Sequence, residues 1–189
     1  MSVEEALAKR RSVREYASAP ITLARLSQLL WAAQGLTNAR KRLRTSPSAG
    51  ALYPLKLYVV VREGGVVDLP AGVYLYSPEE ERITMVKDGD RSGQLRATAL
   101  DQEMVGQAAV NIVTTAVVQR ARSKYGERAL QYIYQESGHA AENVFLQAVS
   151  LGLGAAVIGA FDEEETRSII EAGQEERPVY IQPVGVPLR

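Results

Sequence analysis

The chain has 189 residues, and its 22 lysines and arginines balance its 22 aspartates and glutamates. With His139 as its one histidine and no cysteine, it cannot build a disulfide framework, an iron–sulfur cluster, a cysteine-ligated zinc or a polyhistidine metal site. A composition that is 46% hydrophobic and 23% charged is typical of a globular protein, so we expect one domain over residues 1–189 without a metal ion.

The distribution of apolar residues predicts neither a secretory signal nor a membrane span. No apolar signal-peptide core follows Met1, and the longest apolar stretch, residues 151–161, is interrupted by glycines and too short to cross a bilayer. We therefore expect a cytoplasmic protein that does not associate with membranes. The neutral overall charge argues against a nucleic-acid partner, despite the basic run at residues 40–44.

The first fifty residues predict two helices and a loop. A capping box that begins at Ser2 predicts a helix that ends at residue 10 or 11. A second helix begins at Thr22, and Gly35 stands where a glycine would end it. The basic stretch over residues 37–50 is predicted to be a loop.

The rest of the chain alternates irregularly between strands and helices. Short apolar runs predict strands at residues 55–62, 73–76, 83–86, 110–118, 155–160 and 179–186, with the second and third paired antiparallel. Helical spacing and caps predict helices at residues 90–107, 124–151 and 162–172. Because there is no strict βαβ alternation, the α+β class is the better prediction.

Two glycines near the end of the longest helix do not form a dinucleotide-binding fingerprint. Gly152 and Gly154 are followed by Val157 where a third glycine belongs, and the segment comes after a helix and before a strand, the reverse of the required order. They predict a helix stop and close packing instead.

Two polar clusters have a functional and a structural interpretation. Arg10, Arg11, Ser12 and Arg14 would clamp an anion if the first helix continued, because Arg10 and Arg14 would then share a face. The alternative is a solvated cationic helix end that complements the helix dipole. The second cluster, residues 46–50, offers hydroxyls and backbone amides, or forms an ordinary loop and cap.

Four blocks in this order resemble the FMN-dependent nitroreductase family. They are Arg-Arg-Ser-Val-Arg-Glu-Tyr at residues 10–16, Ser-Pro-Ser-Ala-Gly-Ala-Leu-Tyr-Pro at 46–54, the segment at 152–162, and Pro-Val-Gly-Val-Pro at 183–187. The Gly-Ala-Leu-Tyr-Pro sequence, together with residues 124–128 and 136–139, is similar to the SagB-type branch. That branch includes dehydrogenases that oxidise thiazolines and oxazolines in modified peptides.

The resemblance implies a three-layer nitroreductase-like fold with a central mixed or antiparallel sheet. It also implies an entwined homodimer with two FMN molecules at the subunit interface. Arg10, Arg11 and Ser12 would contact the FMN phosphate and ribityl chain, and Arg14 would approach N1 and O2 of the isoalloxazine ring. A guanidinium there would stabilise the negative charge of the reduced flavin and raise its potential.

The resemblance assigns further cofactor contacts to small and polar residues. The contacts to the partner subunit's FMN would come from Pro47, Ser48, Ala49, Gly50 and Ala51. Gly159 and Ala160 would lie against the ring near N5, where small residues leave the hydride face open. Arg189 would replace basic groups that longer family members supply to the phosphate.

Lys124 and Tyr125 match a lysine–tyrosine pair near the start of the long helix that takes part in proton abstraction in azoline-oxidising members. Oxidation of an azoline requires loss of a ring proton, so a base beside the flavin is chemically reasonable. The alternative is a surface lysine and a packing tyrosine. His139 is interpreted as a polar core or dimer-interface residue.

The expected function is that of an FMN-dependent oxidoreductase, which transfers a hydride between flavin N5 and a small or peptide-borne substrate. One alternative is a nitro- or quinone-reducing enzyme that uses NAD(P)H. Another is a non-catalytic flavin-binding protein. The basic run at residues 40–44 either solvates a loop or captures a phosphate-bearing donor such as a nicotinamide cofactor.

Overall fold

An antiparallel six-stranded sheet forms the centre of the chain. The computed structural model describes residues 1–188, and Arg189 lies outside the described residues. A two-stranded hairpin comprises β1 (Leu36–Asn38) and β2 (Leu43–Arg44), and the sheet comprises β3 (Leu55–Val61), β4 (Gly72–Ser77), β5 (Arg82–Asp88), β6 (Val110–Val117), β7 (Gly154–Ala155) and β8 (Glu176–Gly185). The sheet order is β5-β4-β3-β6-β8-β7, and all its neighbouring strands are antiparallel.

Helices cover both faces of this sheet. They are α1 (Val3–Lys9), α2 (Leu23–Gln34), α3 (Ser92–Thr98), α4 (Glu103–Gln107), α5 (Val118–Tyr125), α6 (Ala129–Ser150) and α7 (Glu163–Ile169). Within residues 1–188, no helix combines the length and the apolar character needed to cross a membrane.

The central strand β3 shows why the fold has three layers. Leu57, Val59 and Val61 pack in the core that contains α2 and α6, whereas Tyr58 and Val60 pack in the core that contains α3 and the end of α7. Successive side chains of a strand point to opposite faces, so a continuous apolar run is buried on both sides. The predicted α+β three-layer architecture is thereby confirmed.

Several predicted boundaries are confirmed by their caps. Ser2 accepts a hydrogen bond from the Glu5 amide and the Glu5 carboxylate accepts one from the Ser2 amide, so the capping box is present. Thr22 caps α2, Gly35 follows its last residue, and Asp162 caps α7. These caps satisfy amide groups that the first turn of a helix leaves unpaired.

Other boundaries differ from the prediction for identifiable backbone reasons. The segment 90–107 is split into α3 and α4 because Leu100 and Asp101 adopt positive φ angles. The predicted helix over 124–151 is interrupted at Gly126, whose φ of 55° and ψ of −129° suit only glycine. The predicted strand over 155–160 ends at Ala155, because Pro183 on β8 has no N–H to continue the ladder.

Candidate functional site

The arginine-rich N-terminal segment lies along the short edge strand β7. Ser12 forms a parallel bridge with Ala155, and the Val13 amide donates to the Ala155 carbonyl at 2.8 Å. A Cβ built on Gly154 would lie 2.7 Å from Val13 Cβ, so only glycine permits this approach. Close packing at Gly154 is confirmed, and Gly152, with a φ of 71°, follows the end of α6 as a helix stop.

The arginines do not share a helix face, because α1 ends at Lys9 and Arg10 has an extended conformation. Arg10 packs on α6, with its Nε 3.8 Å from Glu142 Oε1 and its guanidinium 5.3 Å from the Phe145 ring centre. Since alternate residues of an extended segment point the same way, Ser12 and Arg14 lie on one side of it. Both side chains belong to exposed residues.

Arg11 combines an exposed position with a structural contact. Its guanidinium donates to the Ala8 carbonyl at 3.1 Å and to the Arg10 carbonyl at 2.7 Å. These carbonyls lie at the end of α1, where helix carbonyls have no partner within the helix. The interpretation as a cationic helix end therefore applies to Arg11. For Arg11 to contact a phosphate, its guanidinium would first have to release these two carbonyls.

Tyr16 anchors the far end of the same segment, a role that sequence reasoning missed. Its buried hydroxyl shares its one proton between the Val13 carbonyl, at 2.8 Å, and the Pro183 carbonyl, at 3.1 Å. Burial raises the pKa of this phenol well above its usual range, so it stays a donor at neutral pH. Its presence at the end of the block at residues 10–16 was the available signal.

Gly159 and Ala160 are exposed and follow the same edge of the sheet. Ile158 is held by a bridge to Ile181, which fixes the segment just before them. Within the part of the chain that the structure describes, a Cβ built on Gly159 would meet only Tyr180 Cε1, at 3.7 Å. The two small residues thus leave an open surface on the chain, four and five residues after Ala155, which pairs with Ser12.

The second polar cluster, residues 46–50, is fastened to α2 and α6. The buried Ser46 hydroxyl donates to the Ala33 carbonyl at 2.8 Å, and Asn143 Nδ2 donates to Ser46 Oγ and to the Ala32 carbonyl, both at 3.0 Å. The loop therefore starts from a fixed point on the two packed helices. Asn143 is a further positioning residue that the sequence analysis did not identify.

Glu136 on α6 holds the middle of this loop. Its Oε1 accepts from the Ala49 amide at 2.8 Å, and the residue is only 5% exposed. Burial raises the pKa of Glu136, and hydrogen bonds from Ala49 and the Ser48 hydroxyl together with the charge of His139 offset only part of this effect. Glu136 stands in the segment 136–139 that contributed to the family resemblance, but its buried position was not predicted.

Lys124 and Tyr125 meet this loop at Gly50. A Cβ built on Gly50 would lie 2.6 Å from Lys124 Nζ and 2.6 Å from Tyr125 Oη, and Gly50 has a φ of 61°. The positive φ favours glycine, and a larger residue at this position would force the ends of the Lys124 and Tyr125 side chains to move. Lys124 Nζ also lies 5.5 Å from the Tyr125 ring centre, so the two side chains are neighbours.

The position of this pair differs in one respect from the expectation. Lys124 and Tyr125 end α5, and Gly126 separates them from α6, so they do not begin the long helix. Tyr125 packs edge-on against Tyr132 at 4.9 Å, which fixes its ring. His139 is exposed in the chain, so its interpretation as a polar core residue is wrong, and its interpretation as a dimer-interface residue stays a prediction.

The predicted residues thus form two groups. One joins residues 10–14 to the segment at 154–160, and the other joins residues 47–51 to Lys124 and Tyr125. Both groups are attached to α6, through Glu142 and Glu136 respectively, which are six residues and about 9 Å apart along the helix.

The comparisons with known proteins agree with this architecture. The nitroreductase family model matches residues 7–186, so the chain belongs to the nitroreductase family and is an oxidoreductase. A Methanocaldococcus jannaschii protein named "putative nitroreductase MJ1384" is 43% identical over 185 residues, covering 98% of this chain and 91% of that protein. The crystal structure of a Ralstonia eutropha "putative nitroreductase" has a TM-score of 0.87 at 27% identity and covers 100% of this chain and 84% of its own.

Two more distant structures share the fold. One chain of the Escherichia coli microcin synthetase McbBCD complex with truncated pro-MccB17 has a TM-score of 0.83 at 21% identity, covering 98% of this chain and 72% of its own. The NADPH:FMN oxidoreductase of Vibrio harveyi, complexed with NAD+, has a TM-score of 0.70 at 18% identity, covering 99% and 69%.

Proposed function

We propose that this protein binds FMN and transfers a hydride between flavin N5 and a small or peptide-borne substrate, as a SagB-type dehydrogenase does. The observation that carries the proposal is the pairing of Ser12 with Ala155. This pairing joins the cationic segment to the chain segment that leads to the exposed Gly159 and Ala160, which supports a site for a phosphate-bearing planar cofactor.

The donor set fits FMN on chemical grounds. Arg10 and Arg14 supply guanidinium groups, and Ser12 supplies a hydroxyl for the phosphate and ribityl chain. Arg14 would hold N1 and O2, where its fixed positive charge favours the reduced, anionic ring. When bound, FMN supplies the hydride acceptor or donor, so the lack of histidine and cysteine is no obstacle.

A homodimer would complete this site. Residues 47–51 are held by a separate part of α6, which agrees with the proposal that they contact the FMN of the partner subunit. Exposed apolar side chains on and near α1 offer an interface, namely Met1, Val3, Leu7 and Trp31 at 45–65% exposure.

Lys124 and Tyr125 are proposed as the proton-handling pair of this site. Their polar ends both lie 2.6 Å from the position that a Cβ on Gly50 would occupy, and Gly50 is a residue that the resemblance brings to FMN. In dehydrogenation of an azoline, bound FMN would supply the hydride acceptor, and Lys124 Nζ would accept the ring proton that is lost as the new double bond forms. Tyr125 Oη would orient the same proton.

A second candidate is a nitro- or quinone-reducing enzyme that takes its hydride from NAD(P)H. The family assignment favours it, as does the basic cavity next to residue 51 described below. A third candidate retains FMN without turnover. All three candidates share the cofactor and differ in what reduces or oxidises it.

The experiment is anaerobic reduction of the FMN-loaded protein. An azoline-containing peptide and NADPH are tested separately as donors, with wild type, Lys124→Ala and the matched control Lys87→Ala. Lys87 lies on β5 and pairs with Glu171, away from the proposed site. We expect the peptide to bleach wild type and the control, and Lys124→Ala to keep its FMN spectrum without being reduced.

Each outcome selects one candidate. Bleaching of Lys124→Ala at the wild-type rate would remove Lys124 from the chemistry. Reduction by NADPH alone, followed by reoxidation with a quinone or nitroarene, would select the reductase. FMN that no donor reduces would select the non-catalytic flavoprotein.

A further inference from the structure

A cationic cavity lies next to the proposed FMN-contacting loop and shares only Ala51 with it among the described residues. It has a volume of about 660 Å³, within the range of small-molecule sites, and Ala51 and Leu52 form part of its wall. Among residues 1–188, its charged lining residues are five cations and one carboxylate: Lys41, Arg42, Arg44, Lys56, Arg120 and Glu79.

Arg44 forms the fixed centre of this cavity. Its side chain is 9% exposed, and its guanidinium donates to Gln34 Oε1 at 3.0 Å and to Glu79 Oε1 at 2.8 Å. It also stacks 4.8 Å from the centre of the Tyr53 ring. A guanidinium held on three sides loses little further freedom when an anion binds.

Acidic partners do not balance the remaining cations. Arg42 and Arg44 share the single oxygen Glu79 Oε1, at 3.2 Å and 2.8 Å. Arg120 donates to the Tyr53 carbonyl at 2.7 Å, which is a neutral partner. Within residues 1–188, neither Lys41 nor Arg120 forms an ion pair.

Glu79 is already committed to the arginines. Burial raises its pKa, but hydrogen bonds from its own backbone and from Arg44 and Arg42 outweigh burial, so the pKa of Glu79 is lower than usual. Lys56 is similarly engaged, since its Nζ lies 2.6 Å from the buried Glu176. The surplus positive charge therefore resides on Lys41, Arg120 and the shared arginine pair.

We propose that this cavity binds the phosphomonoester group of an organic ligand. The surplus positive charge of the cavity attracts a dianionic phosphate, and the three oxygens of a phosphate can accept hydrogen bonds from guanidinium and ammonium groups. The role of this ligand as substrate or electron donor rests on the proposed function, because Ala51 belongs both to the cavity wall and to the loop assigned to FMN. The binding itself does not rest on it.

The test is calorimetric titration of the purified protein in a phosphate-free buffer with adenosine 2′,5′-bisphosphate, adenosine and inorganic phosphate. We expect the bisphosphate to bind tightest, inorganic phosphate to bind weakly and compete, and adenosine not to bind. Affinity should fall as salt increases. This measurement needs neither FMN nor turnover, so loss of the proposed function would leave its result interpretable.

The variants are Lys41→Gln, Arg120→Gln and Glu79→Gln, with Lys87→Gln as a control for loss of a half-buried lysine outside the cavity. Loss of a charge-assisted contact should weaken bisphosphate binding about tenfold for each of the first two. Glu79→Gln should strengthen binding, because it removes the one competing carboxylate. Circular dichroism verifies that Lys41→Gln and Arg120→Gln, both at exposed positions, remain folded.

Three results would overturn the proposal. The first is equal affinity for adenosine and its bisphosphate. The second is unchanged affinity in a folded double variant, Lys41→Gln with Arg120→Gln. The third is inorganic phosphate binding at least as tightly as the bisphosphate, which would define a site for the free ion.

Discussion

Substitution of Glu136 separates the two roles of a buried carboxylate, as an acceptor for the loop and as a charge. Glu136→Ala leaves the Ala49 amide without its acceptor at 2.8 Å, and it also removes the partner of the Ser48 hydroxyl. An unsatisfied buried donor costs about 1–3 kcal/mol. For a chain of this length, that cost lowers Tm by roughly 2–12 °C.

Glu136→Gln keeps an acceptor oxygen and removes the charge. Because burial raises the pKa of Glu136, the folded protein binds the proton more tightly than the unfolded chain. The stability that the protonated Glu136 contributes is fully present below the pKa of glutamate in the unfolded chain, and it is lost as the pH rises through the pKa of Glu136 in the folded protein. Glu136→Gln should therefore match wild type at about pH 4 and exceed it in Tm near pH 7.

The assay is thermal unfolding of wild type and both variants over this pH range, followed by circular dichroism. A Glu136→Gln curve that stays parallel to wild type at all pH values would refute the raised pKa. A Glu136→Ala variant as stable as Glu136→Gln would refute the role of the carboxylate in holding the loop. FMN affinity measured on the same samples reports whether loss of the anchor also disturbs the proposed cofactor contacts.

Three further predictions concern the positions of the candidate site residues. Gly50→Ala should lower both the rate of dehydrogenation and the stability of the fold. The added methyl group would displace Lys124 and Tyr125, and alanine is strained at the positive φ of this position. Turnover and Tm measure the two effects. Arg14→Gln should weaken FMN binding roughly tenfold, measured by fluorescence, and lower the reduction potential of the flavin, measured by redox titration. An unchanged potential would place Arg14 away from the ring. Tyr16→Phe should cost about 0.5–1.5 kcal/mol in urea unfolding, since two carbonyls lose their donor, and no change would show that the hydroxyl is dispensable.

The parts of the fold that the sequence predicts well are those set by local chemistry. The capping residues Ser2, Thr22 and Asp162 each occupy the predicted place, because a cap depends on residues within one turn. The apolar run of β3 likewise predicts a strand buried on both faces. Elements of this kind need no information from distant parts of the chain.

The parts that the sequence does not predict depend on long-range contacts. The extended path after Lys9 is set by pairing of Ser12 with Ala155, residues that are far apart in sequence. The break at Gly126 lies within a helical pattern that continues on both sides of it. Periodicity alone cannot detect a single residue with an unusual backbone conformation.

The candidate site also combines features that local sequence predicts with features that depend on long-range contacts. The blocks at residues 10–16 and 46–54 indicate which segments to examine, but they do not reveal that Tyr16 and Glu136 hold them in place. Both anchors act across 80 or more residues of sequence. Their detection requires the packed helices and the sheet.

The most direct test of the central claim is the stoichiometry of FMN bound to the purified protein. The proposal predicts a yellow protein, or an apoprotein that takes up FMN, with one FMN for each chain and one dimer for every two FMN molecules. Light scattering and absorbance measured on the same sample give both ratios. A folded protein that remains colourless and monomeric after incubation with excess FMN would contradict the account.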